Sequence, residues 1–187
     1  MKILKSFLLL ASFLVISFGC QKTLDNKIST NLVSSFDEAA ETEAIMKVIE
    51  GETKCFFDGN YECWTSYWRH KNYVVQAWNN SDGTADVAVG WDKINTRGKE
   101  WIEKYYKNGE NIIHPIVKRE KPTVKFFSDS TACLTWKQYN ADQEKKYFRT
   151  SFEMRLMEKE ATSWKITNVS AFWDTQPDIP FDSLKIN

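Results

Sequence analysis

Glu52 is the first residue whose placement suggests chemistry. Ile45, Val48, Ile49, Cys55 and Phe56 recur at helical spacing, and Glu52 falls inside that apolar stripe, four residues after Val48. A carboxyl on the buried face of a helix loses water, which raises its pKa toward the range useful for a general base or a ligand acceptor. The bland alternative is a carboxylate paired with a backbone donor or with an arginine such as Arg149 or Arg155. His70 lies just past Trp64 and Trp68, which stand one turn apart, and imidazole is the side chain best suited to exchange protons near neutral pH. A solvated loop histidine is the competing reading. Asn168 and Ser170 offer hydrogen bonds either to a ligand or within a sheet. Trp68, Trp91, Trp136 and Phe152 are flat apolar surfaces that can wall a cavity for an apolar or cyclic molecule, or simply fill a core.

Other chemistries find no support. The two histidines, His70 and His114, are far apart and lack spaced Cys or carboxylate partners, so no metal site is expected. No nucleophile elbow, phosphate-binding glycine loop or dinucleotide fingerprint occurs, and no cofactor is implied. The 187 residues balance 25 Lys+Arg against 25 Asp+Glu, which argues against nucleic acid as a partner. Aromatics make up 14% of the chain, with eight Trp, so a large core or a lined cavity is required.

The N-terminus carries an address. Lys2 and Lys5 precede an uncharged run from Phe7 to Phe18, too short to span a bilayer and typical of a signal peptide. The run ends Val15-Ile16-Ser17-Phe18-Gly19-Cys20, which resembles the lipobox of bacterial lipoproteins, although Ser17 departs from the usual Leu. The resemblance implies that residues 1–19 are removed and that Cys20 carries the lipid. Gln21 is not the Asp associated with inner-membrane retention, and no acidic run follows, so an outer-membrane anchor facing the periplasm is expected. Losing Lys2 and Lys5 takes the 25 basic residues to 23 against 25 acidic, a net charge of −2 that leaves anchoring to the acyl chains. Residues 20–35 are polar and read as a lipidated cysteine and flexible tether, and 36–187 as one domain with a C-terminal tail. Cys55, Cys63 and Cys133 remain. Such a compartment permits one bridge, with Cys55 and Cys63 nearest in sequence, but buried free thiols are the simpler reading.

The positioning elements follow from pattern. Ser35 and Glu38 match a capping box opening a helix to about Phe57, stopped by Asp58-Gly59. A short helix spans about Asn60 to Trp68. Tyr73–Trp78 and Thr84–Val89 flank a polar tip and form a hairpin. Asp92 caps a third helix with Ile94, Trp101, Ile102 and Tyr105 on one side. Four strands, near 123–127, 131–139, 147–158 and 163–173, should form an antiparallel meander. Alternation sets Phe148, Thr150, Phe152, Met154 and Leu156 on one face of the third of these, with Glu153 and Arg155 opposite. On the last, Trp164, Ile166, Asn168, Ser170 and Phe172 share a face, with Val169, Ala171 and Trp173 opposite. Helices followed by a long meander give an α+β layer pair.

This order resembles the nuclear transport factor 2-like superfamily, which shares a cystatin-like arrangement, and within it the SnoaL-like proteins. The likeness covers about Glu38 to Trp173. It is carried by Ile49-Glu50-Gly51-Glu52 leading to Phe57-Asp58-Gly59-Asn60-Tyr61, by Gly90-Trp91-Asp92-Lys93-Ile94, and by Glu153–Lys159 followed by Trp164-Lys165-Ile166. Ala161-Thr162 replaces the Asp-Gly turn of many relatives. The resemblance implies a cone-shaped curved antiparallel sheet against helices, one deep apolar pocket with His70 near its mouth, and frequent homodimers through the outer sheet face. Catalytic relatives often carry His where this chain reads Thr167-Asn168-Val169-Ser170. The expected function is therefore binding of a small apolar ligand, with Glu52, Trp68, Trp91, Trp136, Phe152, Asn168 and Ser170 lining the pocket. The alternatives are an isomerase or dehydratase using Glu52 and His70 as an acid–base pair, and an interaction module using the outer sheet face, with Glu153 and Arg155 beside Val169, Ala171 and Trp173.

Overall fold

The order of elements follows from three amphipathic helices that need a sheet to cover. The computed structural model describes residues 36–107, 110–111, 116–175 and 177–186; Cys20, the tether, Ser35 and His114 lie outside the described residues. Helix α1 (Glu38–Phe57) is capped by Asp37, whose Oδ1 accepts from the backbone N–H of Ala39 at 3.0 Å and Ala40 at 3.1 Å, so the cap lies two residues after Ser35. Gly59, at φ +70°, turns the chain out of α1. Helix α2 (Tyr61–Ser66) follows under an Asn60 cap. Strands β1 (Val75–Asn79) and β2 (Ala85–Val89) form the expected hairpin. Helix α3 (Trp91–Tyr105) starts from Gly90 rather than Asp92; Asp92 sits in the first turn, where the helix dipole favours a carboxylate.

Two short strands, β3 (Tyr106–Lys107) and β4 (Glu110–Asn111), pair with each other. The main sheet is completed by β5 (Val117–Arg119), β6 (Thr123–Ser128), β7 (Thr131–Ala141), β8 (Tyr147–Glu160), β9 (Ser163–Trp173) and β10 (Ile179–Pro180), before a 3₁₀ turn at Phe181–Ser183. Its order is β2-β1-β9-β8-β7-β5, with β6 also on β7 and β10 on β8. The β6 to β9 meander is antiparallel, but β1 runs parallel to β9, so the curved sheet is mixed rather than wholly antiparallel. The helix-facing side is the core: Ile45 and Ile49 of α1, Trp64 of α2 and Ile94 of α3 meet Leu134, Met157 and Ile166, all at most 1% exposed.

The sheet faces differ from the alternation argument. Ser151, Glu153, Arg155 and Met157 of β8 are buried on the helix side, whereas Phe152 is half exposed on the other side. On β9 the register slips between Leu156 and Met157, because Leu156 pairs with Asn168 while Met157 pairs with Ile166. This bulge at Thr167 reverses the alternation. Trp164 and Ile166 point into the core, but Asn168, Ser170 and Phe172 lie with Leu156, Met154 and Phe152 on the outer face. Phe148, on that same outer face, is buried by Phe181, which stacks on it at 4.8 Å.

The free-thiol expectation is corrected in part. Cys55, in the last turn of α1, is disulfide-bonded to Cys63 of α2, with the Cα atoms 5.6 Å apart, while Cys133 is free. The bridge ties α2 against the end of α1 at the point where the two helices build the site.

Candidate functional site

A cavity of about 410 Å³ opens between the helices and the helix-facing side of the sheet. Phe56 of α1, Trp101, Ile102 and Tyr105 of α3, Trp78 of β1 and Trp173 of β9 form its apolar walls. Polar side chains also line it: Glu52, Gln76, Arg97, Gln138, Glu153 and Arg155. An apolar chamber with a few convergent polar groups is the ordinary form of a small-molecule site.

Glu52 is held by α1 with its carboxyl in the cavity. Trp64 Nε1–H donates to Glu52 Oε1 at 2.8 Å, and Trp68 Nε1–H donates to the same oxygen at 3.3 Å. Desolvation by burial pushes the Glu52 pKa up, outweighing the opposing pull of Arg155, the two indole bonds and Arg119. The side chain is thus a carboxyl with a raised proton affinity, anchored by neutral donors rather than by an ion pair.

Beside it runs a connected polar row. Trp136 Nε1–H donates to Gln138 Oε1 at 3.3 Å, and Gln138 Nε2–H donates to Asn140 Oδ1 at 2.9 Å. Asn140 Nδ2–H donates to Ser151 Oγ at 3.2 Å, and Ser151 Oγ–H donates to Glu153 Oε1 at 2.6 Å. Arg155 Nη1–H donates to Glu153 Oε2 at 2.8 Å and to the carbonyl of Met154 at 3.0 Å. The Arg155 guanidinium lies 5.1 Å from the Trp136 ring centre. Arg119 reaches in from β5, donating through Nε to Gln138 Oε1 at 3.0 Å and through Nη2 to Thr53 Oγ1 at 3.1 Å. Burial and the neighbouring Arg155 charge lower its pKa from the usual arginine value. Arg97 of α3 pairs with Asp86 of β2 at 2.5 Å and lies 4.7 Å from the Trp78 ring centre.

The expected site residues divide sharply. Glu52 lines the cavity; Trp68 stands behind it as a donor, and Trp136 lies beneath Arg155. His70 does not join Glu52. Its Nε2 meets the Thr65 carbonyl at 2.9 Å, and its ring stacks on Trp91 at 4.0 Å and 11°. Trp91 in turn packs on Trp64 and Trp68, so this aromatic layer separates the imidazole from the carboxyl. The structure therefore does not bring these two side chains together. Phe152, Asn168 and Ser170 are not cavity residues, because the β8 alternation and the β9 bulge place them on the outer face. The same reversal takes Glu153, Arg155, Val169, Ala171 and Trp173 off the outer face and into the cavity. Among the described residues no three His, Cys, Asp or Glu side chains gather as a metal site.

Arg97, Gln76, Trp78 and Trp101 complete the site without having been singled out as lining residues. Arg97 had the same signal as Glu52: it falls three residues after Ile94 and four before Trp101, a charge within an apolar helical stripe.

No family model matches the chain, and no curated protein matches it in sequence. Solved structures do match. An NTF-2-like protein of unknown function from Shewanella oneidensis is 17% identical, with a TM-score of 0.53 over 71% of this chain and 98% of that one. The association domain of C. elegans CaMKII is 14% identical, with a TM-score of 0.54 over 72% and 96%. A candidate ketosteroid isomerase from Shewanella frigidimarina is 14% identical, with a TM-score of 0.51 over 68% and 94%.

Proposed function

We propose that this chain, which has the nuclear transport factor 2-like fold, a mixed sheet packed against helices with a cavity between them, binds a small, largely apolar molecule in that cavity. The observation that carries the reading is the cavity itself: aromatic walls with a few hydrogen-bonding side chains among them. The similarity to a candidate ketosteroid isomerase supports a pocket of this kind. The acid–base alternative is left with Glu52 alone, because His70 belongs to the far side of the tryptophan layer.

The test is titration of the protein with N-phenyl-1-naphthylamine, an uncharged aromatic probe. Saturable quenching of tryptophan fluorescence is expected, since Trp78, Trp101 and Trp173 line the chamber. Ala171→Phe should abolish it, because Ala171 lies between Trp78 and Glu153 in the sheet register and a larger side chain there fills the space. A folded protein that shows no saturable quenching overturns the reading.

Two further parts of the proposal concern location and assembly. The signal-like residues 1–19 and Cys20 support a lipid-anchored protein of the bacterial envelope, in the outer membrane and facing the periplasm. The Cys55–Cys63 disulfide is in keeping with that oxidising compartment. For assembly, the outer sheet face exposes Val87, Val89, Phe152 and Phe172, an apolar surface suited to a second copy of this chain. The likeness to an association domain supports self-association.

A further inference from the structure

The cavity lining carries hydrogen-bonding capacity that the protein leaves unused. Three buried side-chain atoms among its lining residues have no partner: Gln76 Oε1, Arg97 Nη1 and Arg155 Nε. Sheet register brings them to one place. Val169 of β9 pairs with Gln76 on one side and Arg155 on the other, and the next inward residue, Ala171, pairs with Trp78 and Glu153. Gln76 and Arg155 thus flank a low floor of Val169 and Ala171. Arg97 overhangs the same floor through its contact with Trp78. An unpartnered buried donor costs on the order of 1–3 kcal/mol, so Arg97 and Arg155 favour a ligand that supplies acceptors.

The charges agree. Arg97, Arg119 and Arg155 bring three guanidinium groups to this region. Asp86 and Glu153 offset two of them as ion pairs. Arg119 donates to neutral oxygens of Gln138 and Thr53. Glu50 and Glu52 of α1 also bear on Arg119, and burial raises the proton affinity of Glu52. Arg97 and Arg155 each keep an unpartnered N–H beside the low floor despite these ion pairs. Gln76 fits an anion as readily as a neutral acceptor, because a half-turn of its amide exchanges the oxygen for an NH₂ group.

Building on the apolar-ligand reading, we infer that the ligand is a monocarboxylate: a flat or ring-shaped apolar body against Trp78, Trp101 and Trp173, with its carboxylate over Val169 and Ala171, accepting hydrogen bonds from Arg97, Arg155 and Gln76. A planar two-oxygen head suits two guanidinium groups better than a single hydroxyl does.

The experiment compares three probes of one shape by calorimetry: 2-naphthoate, 2-naphthalenemethanol and 2-naphthylmethylammonium. The carboxylate should bind at least about tenfold more tightly than the alcohol, the scale of one charge-assisted hydrogen bond, and the ammonium weakest of the three. Arg97→Gln, a helix position with the guanidinium partly solvated, should erase that preference by weakening carboxylate binding far more than alcohol binding. Arg155→Gln should do the same, with thermal melting to show that it folds. Equal binding of carboxylate and alcohol, or a carboxylate preference untouched by Arg97→Gln in a folded protein, overturns this inference and leaves the apolar-ligand reading standing. Absence of binding by all three probes to folded protein overturns both.

Discussion

Trp64 and Glu52 are joined by a 2.8 Å hydrogen bond from the indole N–H to Oε1, and Trp68 delivers a second N–H to the same oxygen. This makes Glu52 a structural keystone of the α1–α2 corner as well as a cavity group. Glu52→Ala leaves two buried indole N–H groups without an acceptor, and should cost at least about 2 kcal/mol in urea unfolding. Glu52→Gln keeps an acceptor oxygen and should cost less.

The same pair predicts a pH dependence. An unfolded glutamate ionises near 4.5, while burial keeps folded Glu52 protonated to higher pH. Between those two values the native state holds one proton more than the unfolded chain, so stability falls as pH rises through the window. Glu52→Gln has no such proton. The stability of the unmodified protein relative to this variant should therefore decline from about pH 4.5 upward and level off once Glu52 is ionised in both states. A difference that stays flat or increases with pH would show that Glu52 is not held protonated.

How much of this site could be read beforehand depended on the element. Helical spacing placed Glu52 on the buried face of α1, because a period of 3.6 residues survives a single polar interruption. Strand alternation failed on β8 and β9, where inward was equated with apolar. The cavity reverses that rule: Ser151, Glu153 and Arg155 face inward because they satisfy one another, and Phe152 and Phe172 face outward. The bulge at Thr167 then shifts Asn168 and Ser170 by one side, and neither residue type nor spacing signals a one-residue slip. His70 looked available because Trp91, which covers it, arrives from a different helix.

The Cys55–Cys63 bridge joins positions only eight apart in sequence, so it closes a short loop. Chain entropy gives such a crosslink roughly 2–3 kcal/mol. Reduction should lower the melting temperature by about 5–10 °C for a domain of this size. Thiol titration of unfolded, unreduced protein lacking residues 1–20 should find Cys133 alone; three reactive thiols would show that the bridge does not form.

Phe152 and Phe172 are cross-strand partners on the outer face, each about half exposed at 51% and 53%. If two copies associate there, light scattering should give a dimer, and Phe152→Asp or Phe172→Asp should give a monomer with an unchanged circular dichroism spectrum. Arg155→Glu is the wrong probe for this surface, because Arg155 faces the cavity. A monomer before substitution, at concentrations of tens of micromolar (about the range of weak dimers), would remove this face from consideration.

Gly98 gives the most direct test of how the helices are packed over the cavity. It lies in the middle of α3, where exchanging Gly for Ala normally stabilises a helix by about 1 kcal/mol. Here a Cβ would overlap the six-membered ring of Trp64, the same indole that binds Glu52. The ring has little room to retreat, since Phe56, Trp68 and Trp91 all pack on it. Gly98→Ala should therefore destabilise the domain by about 1–3 kcal/mol, the usual cost of overpacking. It should also weaken binding of the naphthyl probes, because the displaced indole no longer fixes the Glu52 carboxyl. Unchanged or increased stability in urea unfolding would mean that α3 sits farther from Trp64 than this contact requires.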